Sequence, residues 1–484
     1  MIFFSILIVL ILGFLVPGVL LSNIYGEFSI NFILMWLIVL WCVGRLIYSG
    51  LKGRRRLTLM LFYVFIYVFM GVQPLLSIWS NTFPHSELNT FFTSNMISFC
   101  ILIMIIGIAG FEVGYYRFRK EIHESQSLTE QRQNIIVVHR LISIKMLWLL
   151  STALTILFVL SIFKFGPNAF LGSRDGGLSF GEFQVQETSS TENTLLIFGL
   201  RGLSATLLFI VIYIWKTRNL VFPRYNIVKL RRVFIFLIFI NLLVSNPLNA
   251  PRLWSGAVLL TSLFLSLKWK GPRSFLVWSS IACLGMLLLF SGLDPRLVVS
   301  RQLVNNGEIT FAGTVKQVGI NIGNLPGDYN FDAFQMIFYT VQYTNKIGYS
   351  IGNQLLLPAL FWIPRSIWPN KPIGTPDIVA ANADFGSLNV SSPLWSEGYI
   401  NFGIPGVFLF LFLFGKAARL GDNYLSDLSV KPLFPSVISS FFAANTFILL
   451  RGDLTSGTMY LQMIILFVYI FMLISRINLS KSHQ

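Results

Sequence analysis

An all-α, polytopic integral membrane protein is the fold class that this sequence predicts, and three observations predict it. Hydrophobic residues fill 55% of the 484 positions, and mean hydropathy is +0.71. Charged residues make up only 12%, about half the share in an ordinary soluble chain. The apolar residues also come in runs, most of them near the roughly 17–22 residues with which a helix crosses a hydrocarbon core.

About twelve such runs follow one another, at 2–21, 32–48, 57–78, 96–111, 146–165, 194–215, 233–245, 253–267, 275–291, 399–414, 433–450 and 459–475. They predict about 12 transmembrane helices in a single membrane-embedded domain, 1–484. Runs 233–245 and 253–267 are short and extend naturally into their flanks. The first run has no basic stretch before it and no clear small-residue cleavage site, so it reads as a retained span rather than a removed signal peptide. Cys42, Cys100 and Cys283 all fall inside apolar runs and read as buried small hydrophobes.

Two connections are long: an outer loop at 166–193, and a larger one at 292–398 between the ninth and tenth spans. The larger loop carries FDAFQMIFYTVQYTNK, whose apolar spacing predicts an amphipathic surface helix. It also carries LLLPALFWIP, too short to cross, which is expected to lie at the interface or re-enter. Trp362, Trp368 and Trp395 suit an interfacial aromatic belt.

Charge orients the bundle. With the N-terminus inside, the inner segments hold 25 Lys+Arg and 6 Asp+Glu, and the outer segments hold 11 and 14. The net charge of +16 is therefore a topology signal that places both termini in the cytoplasm and the basic face on anionic membrane lipid. No nucleic-acid partner is expected.

Metal chemistry finds little support in the outer segments. Only His85 among the four histidines falls outside, no DxD occurs there, and Asp328 and Asp332 in GDYNFD make no ligand pattern. No metal and no cofactor is expected. What the outer face does offer is arginine: Arg174 in GSRDGG, Arg252 in NPLNAPRLWSG, Arg365 in IPRSIWPNKP with Lys371 close behind, and Arg451 in RGDLTSG. Arg201, in FGLRGL, falls roughly 10 Å inside a span if helical. Guanidinium groups bind phosphate oxygens in a planar, bidentate manner and stay charged, so this set suits a lipid-linked diphosphate. Each also has a plainer reading: snorkelling anchors for those at span ends, and a carboxylate or carbonyl partner for Arg201. Glu397 and Asp453 are the candidate catalytic carboxylates. Glu397 is equally placed to be the acidic residue of a helix N-terminus.

The layout and the ordered patterns GSRDGG, APRLWSG, PRSIWPNKP, SEGYINFGIPG and LLRGDL resemble the Wzy family of O-antigen and capsular polysaccharide repeat-unit polymerases. That resemblance implies transfer of a growing glycan from undecaprenyl diphosphate onto a lipid-linked oligosaccharide repeat unit. It implies the outer face of the bacterial inner membrane, with a chain-length regulator and a flippase as partners. Two other classes use related substrates. A lipid-linked oligosaccharide flippase would usually show short loops and two similar halves, and an O-antigen ligase usually places a histidine in its large outer loop, where 292–398 has none.

Overall fold

The computed structural model describes residues 2–22, 24–84, 92–117, 144–167, 170, 191–221, 227–246, 250–267, 269, 271–291, 325–385, 390–425 and 432–480. They are helical, with no strand among them. In chain order the helices are α1 (Ile2–Leu21), α2 (Ile30–Leu51), α3 (Leu57–Ser80), α4 (Ser94–Arg117), α5 (Ile144–Phe165), α6 (Thr191–Val221), α7 (Ile227–Val244), α8 (Arg252–Ser266) and α9 (Pro272–Ser291). After 292–324 come α10 (Ala333–Ile347), α11 (Thr375–Asn382), α12 (Leu394–Leu425), α13 (Leu433–Ala444), α14 (Thr446–Arg451) and α15 (Leu454–Ser480).

Among the described residues, eight helices are long and apolar enough to cross a membrane: α1 to α6, α12 and α15. Apolar stretches of α8, α9 and α13 are shorter. The chain is thus a helical, multi-pass membrane protein by length and composition, and every run read from the sequence falls on a helix.

α3 is buried on every side and forms the centre of the bundle. Proline shapes it and α1 in the same way. Pro17 and Pro74 lack an N–H, and their rings clash with the carbonyl four residues earlier. In both helices a wide π turn, Val9–Leu15 and Val68–Val72, covers that carbonyl. The Gly13 carbonyl, deprived of Pro17 as a donor, accepts Trp36 Nε1 at 3.2 Å instead.

The closest packing joins α4 to α12, through small residues that let two backbones approach. A Cβ on Gly110 would lie 2.5 Å from the Phe408 carbonyl oxygen, and one on Gly114 would lie 2.1 Å from that of Phe412. One turn away, Gly107 sits against the indole of Trp395, whose Nε1 donates to the Met104 carbonyl at 3.1 Å. Trp395 is fully buried here, not an interfacial belt residue, because this donor needs a partner inside the bundle.

Three further expectations change. The tenth run is broken: Phe402 and Gly403 leave helical geometry, Gly403 at φ +64, and Pro405 follows. Only glycine adopts that conformation easily, and the bend brings Gly398 against Gly406. The eleventh run bends at Asn445, whose Nδ2 donates to the Gly457 carbonyl at 2.8 Å. Finally, the surface helix expected in the large loop is α10, and it is buried on most of its length, packed among α4, α11 and α12. Its polar residues, Gln335, Thr340 and Thr344, bond within the helix, which is how a pattern that looks amphipathic can be enclosed.

Contacts group the connections into two ends. Asn31 reaches Ser94, Ser77 reaches the Pro326 carbonyl, and Arg451 reaches the Asn330 carbonyl, all at the end that carries the proline-rich segment. Asp422 reaches Thr58, and Lys216 reaches the Leu267 carbonyl, at the other, basic end. Gly114→Leu is expected to force the α4–α12 backbones apart and cost about 1–3 kcal/mol or more, read as a lower yield of monodisperse protein and earlier thermal unfolding in detergent.

Candidate functional site

The proline-rich segment begins where α10 stops. Gly348, Ile351 and Gly352 all have positive φ, and this tight reversal is pinned by Ser350 N donating to the Ile400 carbonyl at 2.8 Å. The chain then makes a one-turn helix, Leu356–Ala359, and a series of turns. It rests on α15, where Gln462 Nε2 donates to the Pro358 carbonyl at 2.9 Å, and on α6, where Phe361 meets Phe198. Ile351 is 81% exposed, Ile367 75% and Trp362 57%. An apolar rim of this kind, on turns rather than on a paired re-entrant helix, suits the membrane interface.

Arg365 and Lys371 are the two cations of this rim. Arg365 is exposed, and its guanidinium donates to the carbonyls of Lys371 and Pro372 at 2.9 and 3.5 Å. Lys371 Nζ donates to the carbonyls of Phe361 and Ile363 at 2.6 and 2.9 Å. Each cation therefore closes the turn on which the other sits. Burial, and then the neighbouring Arg365, hold the Lys371 ammonium below its ordinary value.

The same end holds three carboxylates at the starts of α11, α12 and α15. Glu397, in the first turn of α12, is enclosed. It accepts Thr375 Oγ1 at 2.8 Å, Ser392 Oγ at 2.9 Å and Leu454 N at 3.4 Å. It thus ties together the starts of α11, α12 and α15. Asp453 is the N-cap of α15, accepting Ser456 N at 3.1 Å, and is half-buried. Asp377, in the first turn of α11, is also half-buried. Burial, and then the nearby Asp453 charge, push the Asp377 carboxyl above the ordinary carboxylate range. Asp377 and Asp453 are partly open to solvent; Glu397 is enclosed, with its oxygens occupied.

The remaining arginines have partners of their own. Arg451 Nε donates to the Asn330 carbonyl at 3.1 Å, its Nη2 lies 3.6 Å from buried Asp332, and its guanidinium sits over the Phe69 ring. Asp332 in turn accepts Ser391 N at 2.9 Å, next to the Ser392 that binds Glu397. Arg201 is buried inside α6 and interacts electrostatically with Tyr460 of α15. Arg174 and the side chain of Arg252 lie outside the described residues, as do most of 166–193 and all of 292–324. So Arg451, Glu397 and Asp453 share one linked cluster, Arg365 and Lys371 a second feature on the rim above α11, and Arg201 a third place within the bundle.

Sequence reasoning missed Asp377 and passed over Asp332. The signal for Asp377 was present: Thr-Pro-Asp is a helix start, with Pro at an early position and an acid in the first turn. Nothing local, however, brings it to Asp453. Asp332 was weighed only as a metal ligand. Among the described residues no group of three or more His, Cys, Asp or Glu side chains is placed to hold a metal ion. Chemically, the end offers a reachable carboxylate pair to accept a proton and a rim of cations to meet an anion. No family model, curated protein or solved structure matches the chain.

Two measurements test this geometry. Arg451→Ala and Asp332→Ala should each destabilise the detergent-purified protein, and a double-mutant cycle on thermal unfolding should return a coupling of about 0.5–3 kcal/mol. For Asp377, the folded chain holds its proton more tightly than the unfolded chain does. Stability therefore falls as pH rises from the ordinary carboxylate range through the raised value. Asp377→Asn should accordingly melt above wild type at neutral pH and level with it below about pH 3.

Proposed function

We propose that this chain is a glycosyltransferase of the bacterial inner membrane: a polymerase that joins lipid-linked oligosaccharide repeat units. The observation that carries the reading is one end of the bundle that holds two half-buried aspartates, Asp377 and Asp453, close enough to act on one another, together with a proline-rich segment bearing two cations and exposed aromatic and aliphatic side chains. Such an end suits a substrate with an apolar tail, an anionic linkage and a sugar hydroxyl. The positive-inside count puts this end on the outer side, with both termini in the cytoplasm and about twelve crossings.

In the proposed reaction the acceptor sugar's hydroxyl oxygen attacks the anomeric carbon of the donor glycan. The bond from that carbon to the diphosphate oxygen breaks, and undecaprenyl diphosphate leaves with the electron pair. The hydroxyl proton passes to Asp453, with Asp377 close to it. Arg365 and Lys371 meet the departing diphosphate, with Arg252 and Arg174 as further candidates from the same side. Arg451 and Glu397 have a different task on this reading: Glu397 holds the starts of α11, α12 and α15 in register, and Arg451 ties the end of α14 to Asn330 and Asp332. Arg201 is assigned to the buried wall between α6 and α15. The reaction draws on the diphosphate bond alone and needs no nucleotide.

The decisive measurement is chain elongation by the purified protein on synthetic undecaprenyl-diphosphate-linked repeats, resolved as a glycan ladder. Wild type should build the ladder. Asp453→Asn should slow it by about 10²–10⁴-fold, and Arg365→Gln by a smaller factor. Glu397→Gln should act through lower yield and stability, with the surviving protein still elongating. In cells lacking the protein, single repeat units should remain attached while the ladder is lost. Loss of the single units as well would sink the polymerase reading and favour the flippase or ligase.

A further inference from the structure

The proline-rich segment is anchored in a way that the proposed reaction does not explain. Both of its ends are tied to one turn of α12. At its start, Ser350 N donates to the Ile400 carbonyl, and at its finish Thr375 Oγ1 donates to Glu397 Oε2, each at 2.8 Å. Glu397 and Ile400 stand one turn apart on the same face of the helix. The Tyr349 and Tyr399 rings meet beside the first tie, with 5.9 Å between their centres. Residues 351–374 therefore leave α12 and return to the place they left.

The loop so formed is braced from within. Main-chain bonds close turns from Leu360 to Ile363, from Pro364 to Ile367 and Trp368, and from Trp368 to Lys371. Lys371 Nζ spans back to the carbonyls of Phe361 and Ile363, and Arg365 reaches forward to those of Lys371 and Pro372. Attachment to the other helices is slighter. Among the described residues, one hydrogen bond joins 351–374 to a helix other than α12, from Gln462 Nε2 of α15 to the Pro358 carbonyl. Phe361 adds a ring contact with Phe198 of α6, 6.0 Å between centres.

Strain marks where this loop bends. Ile351 has φ +45, which a β-branched residue adopts only at a cost, and at 81% exposed it has little packing to offset that cost. Gly348 and Gly352 share the positive-φ region on either side of it, where glycine turns freely. The reversal also abuts the break in α12: a Cβ on Gly352 would lie 3.3 Å from the Phe402 ring, and one on Gly403 would lie 3.3 Å from the Tyr349 ring. We infer that residues 351–374 form a rigid flap that swings about the Gly348–Gly352 reversal, with its base on the Glu397–Ile400 turn of α12 and its latch at Gln462 and Phe198. Closed, the flap lies on α15 and α6, as it does in this structure. Open, it uncovers those two helices and gives the end that holds Asp377 and Asp453 a lateral opening to the lipid. Opening releases the strain at Ile351 and gives up the bond to the Pro358 carbonyl. These opposing terms are of similar size, so both states are populated. The motion stands apart from the proposed reaction; only its use, to admit a lipid-borne substrate, rests on that reading.

The test is a distance measurement by electron paramagnetic resonance on the full-length protein in lipid nanodiscs. Spin labels go on two exposed positions, Trp362→Cys of the flap and Leu466→Cys of α15, while the native Cys42, Cys100 and Cys283 are buried and escape labelling. Two separations should be present. Gln462→Ala removes the latch and should shift the populations roughly fivefold toward the longer separation. Ile351→Gly removes the strain of the closed reversal and should shift them roughly fivefold or more toward the shorter one. If Gln462→Ala fails to fold, Ile351→Gly, at an exposed position, decides alone. A single separation that neither substitution moves would overturn the flap and leave a fixed rim. A shift toward the longer separation on Ile351→Gly would overturn the strained hinge. No substrate enters this measurement, so a failed elongation assay would sink the polymerase reading and leave these distances standing.

Discussion

A backbone carbonyl or N–H inside a bilayer has no water to turn to, and this single demand arranges the protein. It makes every crossing a helix. It also decides what happens wherever a helix is interrupted. Pro17 takes a donor away from Gly13, and Trp36 of the next helix replaces it. The turn at Asn445 is closed by a bond from its own amide to Gly457. The first N–H groups of α3, which has no capping side chain of its own, are taken by Asp422 from the far end of α12. Each of these repairs comes from a neighbouring element or a neighbouring turn, so the helices specify one another's positions as they satisfy one another's breaks.

The same demand builds the proline-rich end. Three helices start there, α11, α12 and α15, and their starts are held together by one buried carboxylate. Glu397 accepts from Thr375, Ser392 and Leu454. A carboxylate surrounded by donors from three segments is a strut, and its burial is what leaves Asp377 and Asp453 as the reachable acids. Arg451 and Asp332 extend the strut sideways to Asn330 and Ser391. Rigid support behind and half-buried carboxylates in front is an arrangement that keeps polar groups in place.

Much of the fold was legible in residue order because hydropathy and charge are local properties. The runs fell on helices, as expected of apolar stretches of that length. Where the reading failed, the cause was non-local. The pattern of α10 looks amphipathic, yet its polar residues bond within the helix and the element is enclosed. Trp395 looks interfacial, yet a carbonyl on α4 draws its indole inward. The tenth run reads as continuous, yet Gly403 and Pro405 break it so that Gly398 can meet Gly406. In the candidate site, Arg451, Glu397 and Asp453 were visible as residue types near span ends. Asp377 was not, because its importance comes from Asp453, which the chain supplies only after α12, α13 and α14.

The sequence by itself determined that this chain is a helical, multi-pass membrane protein and roughly where its apolar helices lie. Those properties follow from the transfer free energy of each residue and need no partner. The tertiary structure decided which charges are spent on holding the molecule together and which are left to meet something else. Glu397, Asp332, Asp422 and Arg451 carry the same chemistry in the sequence as Asp377, Asp453 and Arg365. What separates them is whether another segment brings a donor or acceptor within hydrogen-bond reach, and that depends on packing between segments from tens to more than three hundred residues apart.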